Sequence, residues 1–377
     1  MDLLRFLAAL AVVLFHFTGF GGAGPWPDPA RELFPALAPV TRYGYLGVDL
    51  FFVISGFVIL MSVWGRGPGE FGISRVVRLM PAYWVGVLFG GIVYAVFKLG
   101  NGVPGLVIPN LTMLQGGLGE KNVDPVYWTL WVELHFYFLI GILAVAGITY
   151  RNCLVFMTVW MLGGVFADEA GSKLLQVMLV PTWSPYFIAG MALFLMHKFG
   201  QTLLLWGYVA ASWLLAMYWS SWRTGHVFKG ADETVVSVVV TVIFAVMYLV
   251  ATGRLKHLRW HRLTVLGALT YPLYLTHSTI ALPLLENLYP ELDRWTALAV
   301  VIAASLALAY AIQRLVERPG QKWMRRKLYE SLKPLEETPP ARLDPRERIV
   351  PPPAPAERPQ PVGVASDGPP VPQPYRP

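Results

Sequence analysis

Long apolar stretches separated by short polar breaks recur along most of the chain. Each is close to the roughly 20 residues that a helix needs to cross the hydrocarbon core of a bilayer. The pattern predicts ten membrane-spanning helices, at 3–20, 46–63, 80–98, 127–148, 152–167, 174–196, 203–220, 234–252, 263–288 and 296–316. The Gly- and Pro-rich segment 99–126 predicts a long loop, with a re-entrant loop as an alternative, and Trp183 between Pro181 and Pro185 predicts a break in the sixth helix.

The composition agrees with a membrane protein. Hydrophobic residues make up 55% of the chain, charged residues 14%, and the mean hydropathy is +0.51, whereas soluble domains carry about 25% charged residues. The 14 Trp and 17 Tyr residues are of types that favour membrane–water interfaces. We therefore expect an all-α polytopic membrane protein. The single cysteine, Cys153, excludes an intramolecular disulfide and a cysteine metal cluster.

Basic residues indicate the orientation of the predicted helices. With the N-terminus inside, the inner segments and the start of the tail carry fourteen Lys and Arg residues, and the longer outer segments carry eight. The positive-inside rule therefore predicts that both termini are cytoplasmic. The net charge of +7 is concentrated beside the spans, so it indicates topology and not nucleic-acid binding.

A cleaved signal peptide is an alternative interpretation of residues 1–24. The region before its apolar core carries Asp2, which cancels Arg5, and His16 is unusual inside such a core. We therefore expect this stretch to be retained as the first span.

The C-terminal part changes character at about residue 331, where proline and charged residues become frequent. Such composition cannot bury a core, so it predicts a disordered, extended tail. We expect a membrane domain over 1–320, followed by a cytoplasmic basic segment and disordered Pro-rich tail over 321–377.

Arg5 and His16 lie eleven residues apart in the first predicted span. Eleven residues correspond to about three helical turns plus 20°, so both side chains project from one face, roughly 16 Å apart along the axis. Ionisable side chains at membrane depth are costly and mark functional pathways. Under the predicted topology, Arg5 lies near the inner surface and His16 lies toward the outer half.

Other polar residues fall inside or beside predicted spans: Asp49, Arg75, Arg78, Glu133, Tyr274 and His277. Several have structural alternatives. Asp49 is favoured to cap a helix or pair with an arginine. Arg75 and Arg78 could be ordinary positive-inside anchors, and His277 could make an interhelical hydrogen bond.

Glu133 is the carboxylate that we expect to support His16, because the two lie at similar depth under this topology. His135 points about 200° away from Glu133 on a helix and is interpreted as structural. A histidine that reaches a hydroxyl and is steadied by a carboxylate forms a general-base pair, as in acyl transfer.

Arg75 and Arg78, three residues apart at the inner end of the third span, form an anion-binding patch that suits phosphates. Arg5 extends this positive path inward. A phosphate-bearing cytosolic donor with a long reach, such as an acyl-CoA, fits this arrangement, with the acceptor hydroxyl meeting the acyl group near His16.

These residues lie in motifs that resemble those of acyltransferase family 3, the bacterial integral-membrane O-acyltransferases that modify surface polysaccharides and related acceptors. The resemblance covers about residues 1–320 and rests on six segments in order: Arg5 to His16, Gly47 to Phe57, Arg75 to Pro81, Trp128 to Glu133, Tyr271 to His277, and Glu317-Arg318-Pro319.

The resemblance implies transfer of an acyl group, with acetyl expected, from cytosolic acyl-CoA to a hydroxyl of a carbohydrate or glycolipid at the outer face of a bacterial inner membrane. It implies His16 as the catalytic histidine, with Glu133 supporting it or the acceptor site. Arg5, Arg75 and Arg78 would bind or position the donor. Further possible site residues are Asp49, Tyr274 and His277, and no metal is expected.

Two functions of other classes use the same features. A transporter or flippase of an anionic or acylated solute also places Arg, His and Glu inside the membrane, although no inverted repeat is evident in the sequence. A non-enzymatic component of a polysaccharide-export complex would use the Pro-rich tail as a docking arm.

Overall fold

A computed structural model describes residues 1–22, 25–97, 103–228, 230–255, 263–289 and 291–336. Helices and turns account for the regular structure of these residues, and no strand occurs among them. The tail predicted to be disordered begins at about residue 331. Residues 331–336 belong to the helix Arg318–Glu336, and residues 337–377 lie outside the described residues. Residues Met1–Ser331 form one compact unit, and the boundary expected at residue 320 stays a prediction.

The helices follow one another with short connections. The long helices are α1 (Asp2–Leu14), α4 (Gly47–Val63), α5 (Pro68–Val96), α7 (Trp128–Val145), α8 (Tyr150–Glu169), α10 (Ser184–Phe199), α11 (Leu203–His226), α12 (Glu233–Ala251), α13 (Leu263–Leu288), α14 (Arg294–Ile312) and α15 (Arg318–Glu336). The short ones are α2 (Ala30–Leu33), α3 (Ala38–Thr41), α6 (Val103–Asn110) and α9 (Lys173–Leu179). A π-helical turn, Phe15–Gly19, extends α1, and another, Gln313–Glu317, joins α14 to α15.

Nine helical segments in the described part of the chain are long and apolar enough to cross a membrane. They coincide with nine of the ten predicted spans. The remaining one, 263–288, forms helix α13 at the predicted place. Two prolines, several threonines and His277 interrupt the apolar sequence of this helix.

Two local predictions have clear outcomes. The break in the sixth span is confirmed, because α9 ends at Leu179, Val180 has a positive φ of 42°, and α10 starts at Ser184. The segment 99–126, predicted as a long or re-entrant loop, contains a short helix, α6 (Val103–Asn110). Pro104 near the start of α6 is compatible with the first helical turn, where no backbone N–H is required.

Polar side chains at the starts of several helices explain where they begin. Thr149, Ser172 and Thr202 each accept a hydrogen bond from a backbone N–H in the first turn of α8, α9 and α11. Asp232 and Asp293 do the same for α12 and α14. Such caps satisfy N–H groups that have no partner inside the helix.

Helices α4 and α10 approach each other closely. A Cβ atom on Gly56 would lie 2.1 Å from the carbonyl oxygen of Phe187, and one on Gly190 would lie 2.1 Å from that of Val53. The two helices can therefore approach only because both residues lack a side chain, as small residues allow in membrane proteins.

The candidate site residues are distributed over five helices that pack together. Helix α1 lies against α4 and α13, and α13 also lies against α5 and α14. Helix α7 contacts α4 and α5. This arrangement brings the polar residues of the first, second, third, fourth and ninth predicted spans to the interior of the bundle.

Candidate active site

Arg5, Arg75, Arg78 and Glu133 line one cavity of about 170 Å³, which we call the arginine cavity. Its other polar lining residues are Ser55, Thr129, Thr270, Tyr137, Tyr271 and Tyr274. The structure thus brings together the three arginines that the sequence assigned to one donor path, although they lie on two different helices.

The arginines of this cavity have few compensating charges nearby. Arg5 lies 3.7 Å from the carboxylate of Asp2. Arg75 donates to the hydroxyl of Ser74 at 2.8 Å, and its guanidinium lies 5.9 Å from the ring centroid of Tyr137. Within the described residues, neither Arg75 nor Arg78 has a carboxylate oxygen within 4.0 Å. The cavity is therefore electropositive and suited to an anion.

Glu133 lies among these arginines and not beside His16. One of its carboxylate oxygens accepts hydrogen bonds from Ser55 at 3.0 Å and from Tyr137 at 2.5 Å. Tyr137 lies four residues later on the same helical face, so it directs the carboxylate toward the arginine cavity. The expected contact between Glu133 and His16 is not formed, because α7 turns Glu133 toward the arginine cavity. Residue depth alone does not determine this rotation.

His16 lies in the π-helical turn Phe15–Gly19 at the end of α1. Such turns widen a helix locally and are frequent at functional sites. The Nδ1 atom of His16 lies 3.0 Å from the carbonyl oxygen of Val12 and 3.1 Å from the Nε2 atom of His277. The partner of His16 is thus a histidine and not a carboxylate.

The hydrogen-bond network assigns the tautomers of this pair. The Nδ1 atom of His277 lies 3.1 Å from the carbonyl oxygen of Leu273 and 2.9 Å from that of Tyr274. Carbonyl oxygens only accept, so Nδ1 of His277 carries a hydrogen and its Nε2 has a lone pair. Nδ1 of His16 then donates, which leaves the Nε2 lone pair of His16 available as a base.

His16 lines two further cavities. The first, the aromatic cavity, has a volume of about 470 Å³ and also contains Arg223. Its ring-bearing lining residues are Phe15, Phe20, Tyr45, Trp128, Trp183, Trp222, Phe228 and Tyr274. Aromatic walls with a few polar groups are typical of sites for small organic ligands.

The second, the Asp124 cavity, has a volume of about 290 Å³ and places Asp124, Ser278 and Thr279 near His16. Asp124 is 1% exposed and accepts from the hydroxyl of Thr279 at 2.5 Å and from the backbone N–H of Val126 at 3.0 Å. The sequence analysis missed this residue. Its signal was an aspartate directly before Pro125 at the start of a span, a typical helix cap.

Tyr274 and Val48 line both the arginine cavity and the aromatic cavity. The hydroxyl of Tyr274 lies 2.8 Å from that of Thr129 and donates to the carbonyl oxygen of Val126 at 3.3 Å. Arg5 and His16, predicted to project from one helical face, therefore line different cavities. Arg5 lines the arginine cavity, His16 lines the aromatic cavity, and Tyr274 lies at the boundary between the two.

Asp49 is fully buried and pairs with Arg223 through two hydrogen bonds of 3.0 and 2.7 Å. Arg223 also donates to Tyr186 at 3.0 Å and lies over the ring of Trp183 at 4.4 Å. This confirms the favoured interpretation of Asp49 as the partner of an arginine. Arg223 is one of the eight basic residues assigned to the outer segments, but it lies inside α11 and is 4% exposed.

His135 contacts the carbonyl oxygen of Trp131, one turn earlier in its own helix, at 2.8 Å. It lines none of the three cavities described above. Among the described residues, no group of three or more His, Cys, Asp or Glu side chains is placed to hold a metal ion.

Comparisons with known proteins agree on one kind of activity. A family model described as an acyltransferase domain matches residues 1–314. Acyltransferase MdmB of Streptomyces mycarofaciens is 28% identical over 145 residues, which is 36% of this chain and 36% of that protein. The match thus spans about a third of the length of that relative. No solved structure matches the chain.

Proposed function

The chain belongs to acyltransferase family 3, and we propose that it transfers an acyl group, expected to be acetyl, from acyl-CoA to a hydroxyl group of a carbohydrate or glycolipid. Its membership in an acyltransferase family favours this activity over a transporter, a flippase or a non-enzymatic export component.

The observation that carries the proposal is the placement of His16. Its Nδ1 atom is held by His277 at 3.1 Å, while its ring lines both the aromatic cavity and the Asp124 cavity. The arginine cavity begins on the other side of Tyr274. The Nε2 lone pair of His16 therefore lies beside cavities that could hold an acceptor, and Tyr274 separates it from the electropositive arginine cavity.

The arginine cavity would receive the donor. Arginine is the side chain that best matches the planar geometry of phosphate oxygens. Arg5, Arg75 and Arg78 would direct the pantetheine arm of the donor inward, so that the thioester reaches the boundary at Tyr274. Glu133, held by Ser55 and Tyr137, would set the charge and the orientation of this arginine group.

The proposed reaction is general-base acyl transfer. The Nε2 atom of His16 takes the proton of the acceptor hydroxyl while the hydroxyl oxygen bonds to the thioester carbonyl carbon. The C–S bond then breaks, and the sulfur of CoA takes the proton back from His16, so that CoA leaves as the free thiol. His277 accepts the Nδ1–H of His16, which fixes its tautomer and stabilises the imidazolium that forms in between.

The aromatic cavity is suited to a carbohydrate acceptor. The faces of aromatic rings are electron-rich, so they attract the positively polarised C–H groups of a sugar ring. Trp128, Trp183 and Trp222 provide such faces within the same cavity as His16. Asp49 would act indirectly, by holding Arg223 at the wall of this cavity.

The proposed orientation follows the distribution of basic residues. Both termini would lie in the cytoplasm, the arginine cavity would open toward the cytosolic donor, and the acceptor would be acylated toward the outer face of a bacterial inner membrane. This multi-pass protein would need the bilayer, acyl-CoA and the acceptor as partners, and no nucleic acid or metal.

Inside-out membrane vesicles from a bacterial host that expresses the protein provide the test. We expect [¹⁴C]acetyl-CoA to label membrane glycolipid or glycan, and mild base to release the label as acetate, because the bond formed is an ester. Vesicles from the same host without the protein are the control. Equal labelling in both preparations would contradict the proposal.

A further inference from the structure

A fourth cavity, which we call the basic vestibule, is lined by five arginines and by Glu70 as its acidic residue. Its volume is about 670 Å³. The arginines are Arg66, Arg75, Arg78, Arg325 and Arg326, and Ser74, Gln321 and Tyr329 also line the cavity. Across the described parts of the chain, none of these five arginines has a carboxylate oxygen within 4.0 Å. The vestibule therefore carries unneutralised positive charge.

Helix α15 provides one wall of this vestibule and is fixed against α5. A Cβ atom on Gly320 would lie 2.9 Å from the Cβ atom of Pro81, so the two helices meet at close range there. One residue later, the amide of Gln321 donates to the carbonyl oxygen of Arg78 at 3.3 Å and to Glu317 at 2.9 Å. These contacts set the rotation of α15.

Two of the basic residues of α15, Arg325 and Arg326, line the vestibule. Gln321, Arg325 and Tyr329 are spaced by four residues and share one helical face, and Arg326 lies beside that face. Lys322 and Lys327 belong to the same helix and are also exposed, yet they do not line the vestibule. Residues that acted only as membrane-surface anchors would not need to converge on one cavity.

The vestibule adjoins the arginine cavity, because the two share lining residues. Arg75 and Arg78 line both cavities, whereas Arg5 lines only the arginine cavity. A ligand that spans the two cavities would carry several negative charges at the end that lies in the vestibule. A long, less charged arm would pass between Arg75 and Arg78 into the arginine cavity.

We infer that the basic vestibule binds the nucleotide phosphates of acyl-CoA, with Arg325 and Arg326 of α15 and Arg66 of the loop before α5 contacting the phosphate oxygens. This inference rests on the proposed function and deepens it by assigning the C-terminal helix to donor binding. Several arginines around one polyphosphate make charge-assisted, bidentate hydrogen bonds. Tyr329, half-buried in the same wall, provides a ring on which the adenine base can stack.

The kinetic test compares two donors that differ in the nucleotide. Acetyl-CoA carries it, and S-acetylpantetheine lacks it while keeping the same thioester arm. For the double variant R325Q/R326Q, we expect at least a tenfold higher KM for acetyl-CoA, an unchanged kcat, and an unchanged kcat/KM for S-acetylpantetheine. The double variant K322Q/K327Q removes two charges from the same helix outside the vestibule and should match the wild type with both donors.

A binding measurement separates this inference from the proposed function. Adenosine 3′,5′-bisphosphate is the probe, and the purified full-length protein is held in nanodiscs of neutral lipid. We expect binding by the wild type and by K322Q/K327Q, and at least tenfold weaker binding by R325Q/R326Q. This result would support the vestibule site even if the wild type transferred no acetyl group, in which case only the proposed function would fail.

Three results would overturn the inference. The first is equal probe binding by R325Q/R326Q and the wild type. The second is an equal loss of activity with acetyl-CoA and S-acetylpantetheine, which would indicate a structural role for the two arginines. The third is displacement of the probe by phosphatidylglycerol added to the nanodiscs, with no displacement by CoA, which would assign the vestibule to an anionic lipid headgroup.

Discussion

The Nε2 atom of His277 lies 3.1 Å from the Nδ1 atom of His16. His277 is fully buried, and its own Nδ1 hydrogen is directed at carbonyl oxygens of α13. It can therefore only accept a hydrogen bond from His16. A neutral histidine takes the position that a carboxylate occupies in many general-base pairs, and it holds the ring of His16 without adding a buried negative charge.

This relationship predicts a positioning role for His277. We expect H277A to lower kcat and to leave the KM for acetyl-CoA within about twofold. The loss of kcat should not exceed the roughly 100- to 10,000-fold that general acid–base catalysis contributes. H277Q, whose amide oxygen can accept from His16, should recover part of the lost kcat. Initial rates with labelled acetyl-CoA measure both constants. A variant H277A with full kcat would show that His16 needs no such partner.

The buried ion pair between Asp49 and Arg223 predicts a large effect on stability. D49N leaves the arginine buried and without its charge partner, which costs about 3–5 kcal/mol for pairs of this kind. Thermal unfolding of the detergent-solubilised protein should shift to clearly lower temperature. E32Q removes the exposed partner of Arg31, a contact worth about 0–1 kcal/mol, and serves as the control. Equal melting curves for D49N and E32Q would contradict the structure.

Tyr274 lies at the boundary between the arginine cavity and the aromatic cavity. A tryptophan there would occupy more of the boundary, so we expect Y274W to lower kcat strongly while acetyl-CoA still binds from the arginine side. Y310W enlarges an exposed tyrosine on α14 and should have no effect. The comparison needs kcat from initial rates and the dissociation constant of CoA from titration. Loss of CoA binding in Y274W would place Tyr274 inside the donor site and not at its end.

Glu133 hydrogen-bonds with Ser55 and Tyr137 in the arginine cavity. We therefore expect E133Q to change the KM for acetyl-CoA by more than it changes kcat, because the substitution alters the charge around the donor and leaves the His16–His277 pair intact. Steady-state kinetics at varied donor concentration provide the test. If E133Q lowered kcat as much as H16A and left KM unchanged, Glu133 would act on His16 after all.

Much of the architecture could be predicted from the sequence because apolar length is a direct consequence of bilayer thickness. The break at Val180 also followed from local chemistry, because prolines interrupt a helix. The cost of a buried carboxylate indicated that Asp49 caps a helix or pairs with an arginine, without deciding between the two. The motifs that resemble acyltransferase family 3 indicated the family that the comparison then showed over residues 1–314.

The pairing of the polar residues could not be predicted, because it depends on helix rotation and on which helices are neighbours. Glu133 and His16 were expected to meet from their similar depth, yet α7 turns Glu133 toward the arginines. Arg223, one of the eight basic residues assigned to the outer segments, lies inside α11 and pairs with Asp49. Depth along a helix is encoded in the sequence position, whereas the neighbour of each helix face is decided by packing of the whole bundle.

The central claim is that His16 is the general base of acyl transfer, and one matched comparison tests it most directly. H16A and H135A each remove a histidine that contacts a carbonyl oxygen of its own helix, but only His16 lines the cavities. In vesicles with equal amounts of each protein, we expect H135A to transfer base-labile [¹⁴C]acetyl at the wild-type rate and H16A to transfer none above the host background. Wild-type rates in H16A would contradict the account.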